Sequence, residues 1–211
     1  MSTFDSDAAA KIHAQLHSHL PSEPALRVKA LESLLVERGM ITSETIDAWV
    51  EAYSEEIGPK RGAQVVARAW LDTGFKARLL DNAATAITEF GFEGNATGHL
   101  KAVENTPTTH NVVVCTLCSC YPFSILGMSP TWYKSAAYRS RVVREPRKVL
   151  AEFGVDLRSD IAVNVWDSTA ELRYIVIPQR PEKTENWSET ALAALVSRNS
   201  MIGTQRRLEL L

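Results

Sequence analysis

The chain has 211 residues, of which 45% are hydrophobic and 23% are charged, and its net charge at pH 7 is −2. These are ordinary values for a globular protein with its own core, and the slight negative charge argues against a dedicated nucleic-acid-binding protein. No stretch approaches the ~20 consecutive apolar residues of a transmembrane helix. The N-terminus also lacks the basic and apolar regions of a signal peptide, so we expect a cytoplasmic protein without a membrane partner.

Helical patterns dominate the first hundred residues. A stripe of apolar side chains at helical spacing follows Ser22 and ends at Gly39, a residue that can terminate a helix. Three further helical patterns run over residues 43–57, 61–70 and 74–90. We therefore predict a helical N-terminal arm over residues 1–100 and expect roughly the first 22 residues to be mobile.

The remainder of the chain mixes turns, short strands and helices. Residues 91–110 are rich in turn-forming residues, and the β-branched run at 111–114 predicts a strand that leads directly into Cys115. Later patterns predict strands and helices in turn, with strands over 161–166 and 172–177 and helices over 146–153 and 188–198. The predicted fold class is α/β, in the α+β sense, with a mixed α/β domain over residues 101–211.

All three cysteines lie within six residues, in the sequence Cys-Thr-Leu-Cys-Ser-Cys of residues 115–120, which we call the claw. Thiols at this spacing suit a soft metal ion better than structural disulfides, whose Cα atoms lie about 4.4–6.8 Å apart. Buried structural cysteines and a reactive-thiol role are also compatible with the spacing.

The cysteine pattern is compatible with several metals. Zinc would need a fourth ligand, for which His110 is the nearest candidate, although we favour a structural role for that residue. An iron–sulfur cluster normally uses four cysteines. A small trivalent ion could instead bind the three sulfurs together with the backbone nitrogens of Ser119 and Cys120, which would leave one coordination position open for catalysis.

The residues around the claw resemble the α subunit of nitrile hydratase. The resemblance extends over residues 25–203, and its clearest segments are 25–35, 62–70, 112–122, 132–141, 165–174 and 200–203. Thr116 and Tyr121 resemble the cobalt type of this family, because the iron type usually has Ser and Thr at these positions. The resemblance therefore implies a nitrile hydratase α-subunit-like fold with one non-corrin Co(III) per chain, and Fe(III) as the alternative.

The resemblance also implies roles for the residues of the claw. Cys115, Cys118 and Cys120 would supply sulfur ligands, with Cys118 oxidised to the sulfinate and Cys120 to the sulfenate, and the amide nitrogens of Ser119 and Cys120 would complete the site. Cys118, Ser119 and Cys120 would be catalytic in the hydration of a nitrile to an amide. The sulfenate oxygen, a metal hydroxide or a nearby water would attack the nitrile carbon.

Partners are implied in the same way. A β subunit would contribute arginines to the oxidised sulfurs, in either an αβ dimer or an (αβ)₂ tetramer. An activator protein, acting as a metallochaperone, would load the metal, and the substrate would be a small nitrile. A basic run over residues 134–148 could suggest nucleic acid, but an acidic partner or internal carboxylates explain it better in a protein of net negative charge.

Two alternatives to nitrile hydratase stay open. Residues 123–129 depart from the family pattern, and thiocyanate hydrolase has the same claw sequence. The basic residue that often follows Tyr-Pro in that enzyme is Phe123 here, which suits an uncharged nitrile better than an anion. A non-enzymatic metal or redox module, with the three thiols as its ligands, is the alternative from another class of protein.

Overall fold

A computed structural model describes residues 23–93, 99–118 and 120–206, with the backbone alone for 54–56. The chain divides into two compact units between Val50 and Glu51. The predicted division into a helical arm over 1–100 and a mixed α/β domain over 101–211 stays a prediction, and the first 22 residues, which we expect to be mobile, lie outside the described residues. None of the described helices is long and apolar enough to cross a membrane.

The first unit contains the helix α1 (Glu23–Glu37) and most of α2 (Ser43–Glu51). Neither helix has a buried residue. Large apolar side chains of α1, among them Leu26, Leu31 and Leu34, are exposed. The apolar stripe that predicts α1 is therefore present on the helix, but it is not part of a core of the described residues.

The second unit opens with a π-helical segment (Ala52–Ile57) and continues with helices that surround the strands. These are α3 (Lys60–Leu71), α4 (Thr73–Asp81), α5 (Ala83–Ala86) and a 3-10 turn (Ile87–Phe90). The prediction of one continuous helix over 74–90 is wrong, because three shorter helical segments lie there. Asn82 has extended backbone, and its side-chain oxygen accepts the Thr85 amide at 3.1 Å, which begins a new helix.

Four strands form two parallel pairs. These are β1 (His99–Glu104) with β4 (Leu172–Ile177), and β2 (Thr109–Val114) with β3 (Ala162–Asp167). The predicted strands at 111–114, 161–166 and 172–177 are confirmed to within a few residues. The prediction of turns throughout 91–110 is wrong for β1, whose residues Leu100, Ala102 and Val103 are buried. β1 is short and pairs with a strand about seventy residues later, so local sequence patterns do not reveal it.

The later helices are short. They are α6 (Phe123–Leu126), a 3-10 turn (Thr131–Lys134), α7 (Ala136–Val142), α8 (Pro146–Glu152), α9 (Glu189–Leu195) and α10 (Arg198–Ile202). The helix predicted over 188–198 ends early, because Ser197 starts α10. The Ser197 hydroxyl accepts the Ser200 amide at 3.1 Å as part of a capping box.

A buried polar network fixes β2 against its neighbours. The Asn111 amide donates to Asn105 Oδ1 at 2.7 Å, and Asn111 Oδ1 accepts from Trp166 Nε1 on β3 at 2.9 Å. The buried His110 has its Nε2 2.7 Å from the Gly203 carbonyl oxygen, so Nε2 carries the proton that is donated. Burial lowers the pKa of His110 and favours this neutral ring. These bonds hold β2 and β3 in register, so that both strands end at the same level.

Gly203 packs closely against the backbone of β2. Its φ is +93°, and a Cβ at this position would lie 2.0 Å from the Asn111 carbonyl oxygen and 2.9 Å from Val112 Cα. Because backbone atoms cannot move aside, we expect Gly203→Ala to lower the free energy of unfolding by at least about 3 kcal/mol. Gly154→Ala is the matched control, since Gly154 has a φ of +78° and no atom lies within 4 Å of where its Cβ would be.

The control should lose only the roughly 1–2 kcal/mol that a left-handed alanine costs. Urea unfolding of the two variants measures both values. Equal losses at Gly203 and Gly154 would contradict the close approach to β2.

Candidate metal centre

The claw begins where β2 ends. Val114 pairs with Asp167 in the last register position, and the Ser168 amide donates to the Val114 carbonyl at 2.7 Å. Cys115 therefore follows directly from a buried strand and is itself fully buried. Cys118 is exposed and Cys120 is half-buried, so the three thiols run from the core toward the surface.

The three sulfur atoms lie close enough to bind one ion. Cys118 Sγ is 3.5 Å from Cys115 Sγ and 3.2 Å from Cys120 Sγ, and all three atoms lie within 4.8 Å of one another. No disulfide joins these three cysteines, since a disulfide needs about 2.0 Å between its sulfurs.

Three thiols converging in this way are a suitable ligand set for one soft metal ion. These residues therefore fit a metal.

His110, the alternative ligand predicted from the sequence, is not part of the cysteine cluster. In the part of the chain that the structure describes, these cysteines are the one set of three His, Cys, Asp or Glu side chains placed to hold an ion. His110 is bound to the Gly203 carbonyl and lies 3.5 Å from Asn105 Nδ2 through its Nδ1, which confirms its structural role. Ser119, the source of one expected amide ligand, lies outside the described residues.

Asp167 holds the first turn of the claw. Its Oδ1 accepts the Thr116 amide at 2.9 Å, and its Oδ2 accepts the Thr116 hydroxyl at 2.6 Å. Arg139 Nη1 donates to the Thr116 carbonyl at 3.3 Å. Thr116 is thus bonded through its amide, carbonyl and side chain. The sequence predicts no role for Asp167, although its position at the end of a predicted strand was the available signal.

Two buried tyrosines support the claw from behind. The Tyr133 hydroxyl donates to the Cys120 carbonyl at 2.9 Å, and the Tyr138 hydroxyl donates to the Val113 carbonyl at 2.7 Å. Burial raises the pKa of both phenols, so they remain neutral donors. Trp132 packs on the Tyr138 ring at 4.9 Å and on the Phe153 ring at 4.7 Å, which makes the segment after the claw part of the aromatic core.

The thiol of Cys120 is held in its protonated form by its surroundings. Burial raises its pKa to about 12, and the thiols of Cys118 and Cys115 act in the same direction, while Arg173 opposes them. A metal must therefore displace thiol protons when it binds. For this reason, affinity for a metal falls as the pH falls, because protons compete for the same sulfurs.

Several buried polar atoms around the claw have no hydrogen-bond partner among the described residues. They are Tyr121 OH, Arg139 Nε, Ser168 Oγ and Arg173 Nε. Each belongs to a residue that adjoins the claw or acts on it. Since buried polar groups in native proteins are nearly always paired, these atoms are candidate donors to whatever the claw binds.

The basic run of residues 134–148 is largely paired within the chain. Arg141 lies 2.6 Å from both Glu145 and Glu152, and Lys148 lies 3.2 Å from Glu145. Arg147 donates to main-chain carbonyls. These contacts support internal carboxylates as the explanation of the run.

Comparison with known proteins identifies the family. The sequence profile described as nitrile hydratase, alpha chain, matches residues 22–205. The chain belongs to the nitrile hydratase α-subunit family. One relative, the low-molecular weight cobalt-containing nitrile hydratase subunit alpha of Rhodococcus rhodochrous, is 52% identical over 194 residues, which cover 90% of this chain and 94% of the relative.

A second relative belongs to a different enzyme, and a further match is a solved structure. The thiocyanate hydrolase subunit gamma of Thiobacillus thioparus is 42% identical over 186 residues, covering 82% of this chain and 76% of that protein. A double mutant of the Fe-type nitrile hydratase from Comamonas testosteroni Ni1 matches with a TM-score of 0.80 and 43% identity, covering 88% of this chain and 92% of the other. The predicted family and fold class are confirmed.

The two bonds from Asp167 to Thr116 predict how this α subunit responds to loss of the carboxylate. We expect Asp167→Asn to lower the free energy of unfolding by about 1–2 kcal/mol and to weaken metal retention, because the amide replaces one of two charged acceptors. Asp160→Asn is the control. It removes a carboxylate from an exposed pair with Arg158 and should behave like the parent protein.

Chemical denaturation and metal analysis of the two variants provide the comparison. Identical behaviour of Asp167→Asn and Asp160→Asn would show that the Thr116 contacts do not hold the claw.

Proposed function

We propose that this chain is the α subunit of a cytoplasmic nitrile hydratase, which hydrates nitriles to amides at one non-corrin Co(III) held by the claw. The observation that carries the proposal is the convergence of three thiol sulfurs at the end of β2. Membership of the family and its cobalt-containing relatives support the same conclusion. Thr116 and Tyr121 favour cobalt over Fe(III).

The burial of the cysteines supports their proposed oxidation states. Cys118 is exposed and Cys120 is half-buried, so an oxidant can reach both sulfurs, whereas Cys115 is fully buried. Cys118 is assigned as the sulfinate, Cys120 as the sulfenate and Cys115 as an unmodified thiolate. The amide nitrogens of Ser119 and Cys120 complete the ligand set in this proposal.

The chemistry combines an ion with a rigid protein frame. When bound, the trivalent ion supplies Lewis-acid polarisation without changing its own oxidation state. Asp167 and Arg139 fix Thr116 from two sides, and Tyr133 fixes the carbonyl of Cys120. These contacts would position the oxygen on the Cys120 sulfur to attack a nitrile carbon. As the C–O bond forms, a π bond of the nitrile breaks and its nitrogen takes a proton from water. The remaining hydroxide then restores the oxygen on the sulfur, and the amide leaves. We favour this oxygen as the nucleophile.

A β subunit is proposed to complete the site. Leu117, at the tip of the claw, is 84% exposed, and an apolar side chain beside a reactive cluster suits a protein contact. Ionised sulfur oxygens are costly to bury unpaired, so arginines of the β subunit would form charge-assisted hydrogen bonds to them. The exposed apolar stripe of α1 offers a further surface to the same partner. An activator protein is proposed to load the metal into this complex.

Co-expression with the β subunit and the activator tests the proposal. The purified complex should contain about one cobalt per α chain and convert small nitriles to amides. Peptide masses should show two added oxygens on Cys118 and one on Cys120. Cys118→Ala should abolish both metal and activity, because no other described side chain is placed to replace the sulfur. Unmodified thiols that hold zinc would contradict the proposal.

Thiocyanate hydrolase is the second candidate, because its γ subunit is 42% identical to this chain. Phe123, three residues after Cys120, packs its ring 4.4 Å from that of Tyr53, so an apolar side chain stands where the thiocyanate enzyme often has a basic one. This observation favours an uncharged nitrile. The wild-type complex should therefore turn over at least one nitrile faster than thiocyanate.

Phe123→Arg should raise the ratio of thiocyanate to nitrile turnover by roughly tenfold, because one nearby charge stabilises an anion by about 1 kcal/mol or more. The guanidinium can still stack on Tyr53. Phe123→Met is the uncharged control of similar length. A change of the same size in the methionine variant would show that charge at this position does not select the substrate.

A further inference from the structure

Ser168 is a buried residue beside the first claw cysteine, and the proposed chemistry gives it no role. It is 1% exposed, and its Oγ has no hydrogen-bond partner among the described residues. Its backbone amide donates to the Val114 carbonyl at 2.7 Å, so Ser168 and Cys115 each follow a paired strand end. A buried hydroxyl in this place needs an explanation.

The pairing of β2 with β3 places Ser168 beside Cys115. The bond from the Ser168 amide to the Val114 carbonyl extends the register by one position beyond Val114 and Asp167. Paired residues of neighbouring strands project to the same face of a sheet, and Cys115 and Ser168 are both buried. The Ser168 hydroxyl therefore lies on the side of the strand pair where the Cys115 sulfur lies.

The other polar group in this region already has a partner. Tyr133 donates its hydroxyl proton to the Cys120 carbonyl at 2.9 Å. Burial raises the pKa of Tyr133, and a hydrogen-bonding contact with the Ser168 hydroxyl opposes this by lowering that pKa. The two hydroxyls thus share one buried polar region, but the Ser168 hydrogen is not committed to a bond of normal geometry among the described residues.

We propose that Ser168 Oγ donates a hydrogen bond to the Cys115 sulfur when that sulfur is a metal-bound thiolate. This inference rests on the proposed function, because it requires a metal on the claw. A neutral thiol is a weak acceptor, whereas a thiolate accepts a charge-assisted hydrogen bond. Ser168 is in this view a positioning residue, which orients the one claw sulfur assigned as unoxidised and lowers its electron donation to the ion.

The test uses the co-expressed αβ complex carrying Ser168→Ala. Loss of the donor should weaken metal affinity by roughly 10–100-fold, measured by chelator competition. It should also shift the sulfur-to-metal charge-transfer absorption to longer wavelength, because the thiolate lone pairs rise in energy. Ser168→Thr keeps the hydroxyl and should restore the wild-type absorption.

Two further variants separate this role from a merely structural one. Ser200→Ala removes another fully buried serine hydroxyl, from the capping box of α10, and should lower stability without moving the absorption band. Tyr133→Phe tests an indirect route. If Ser168→Ala has no additional effect in the Tyr133→Phe background, Ser168 acts through the phenol and the direct bond to Cys115 is wrong.

Measuring the wild-type complex in the same experiment distinguishes a failure of the Ser168 proposal from a failure of the proposed function. A metal-loaded, nitrile-hydrating wild type with an unchanged band and unchanged metal affinity in Ser168→Ala would overturn the role of Ser168 alone. A wild-type complex that carries no metal on its cysteines would overturn both proposals.

Discussion

The parallel pairing of β2 with β3 is the constraint on which the site depends. The two strands end level at Val114 and Asp167, so the segments that follow them leave the same edge. In open α/β folds this edge is where ligands bind, because loops diverge there and leave a crevice. The bond from Trp166 to Asn111 holds the register from within the sheet. A slip of one residue would exchange the two faces, expose Cys115 and separate Thr116 from the carboxylate that holds it.

The same arrangement places the three cysteines of the claw at different degrees of burial. Cys115 belongs to the core, whereas Cys118 is exposed and Cys120 lies between them. In the proposed function, such a gradient would allow one sulfur to stay a thiolate while its neighbours are oxidised. Among the described residues, Leu117 projects from the exposed side of the claw. The proposed second subunit would exclude water from this side and pair the sulfur oxygens.

Much of this could be predicted from the sequence, because it is local. The helical pattern that predicts α3, the β-branched run at the end of β2 and the spacing of the cysteines are all patterns within a dozen residues. What could not be predicted depends on pairing between distant segments. β1 is recognisable as a strand only beside β4, and the break at Asn82 reflects a side-chain cap within a longer helical pattern. Asp167 and Ser168 become parts of the site because β3 lies beside β2, a contact between positions about fifty residues apart.

X-ray absorption spectroscopy at the metal edge of the purified αβ complex tests the central claim most directly. A claw that binds through three sulfurs and its own backbone predicts cobalt with three sulfur neighbours at about 2.3 Å, together with nearer nitrogen neighbours. The pre-edge should be weak, as it is for near-octahedral ions. A tetrahedral ion with sulfur neighbours and no backbone nitrogen would contradict the account, because the backbone of the claw would then have no part in binding the metal.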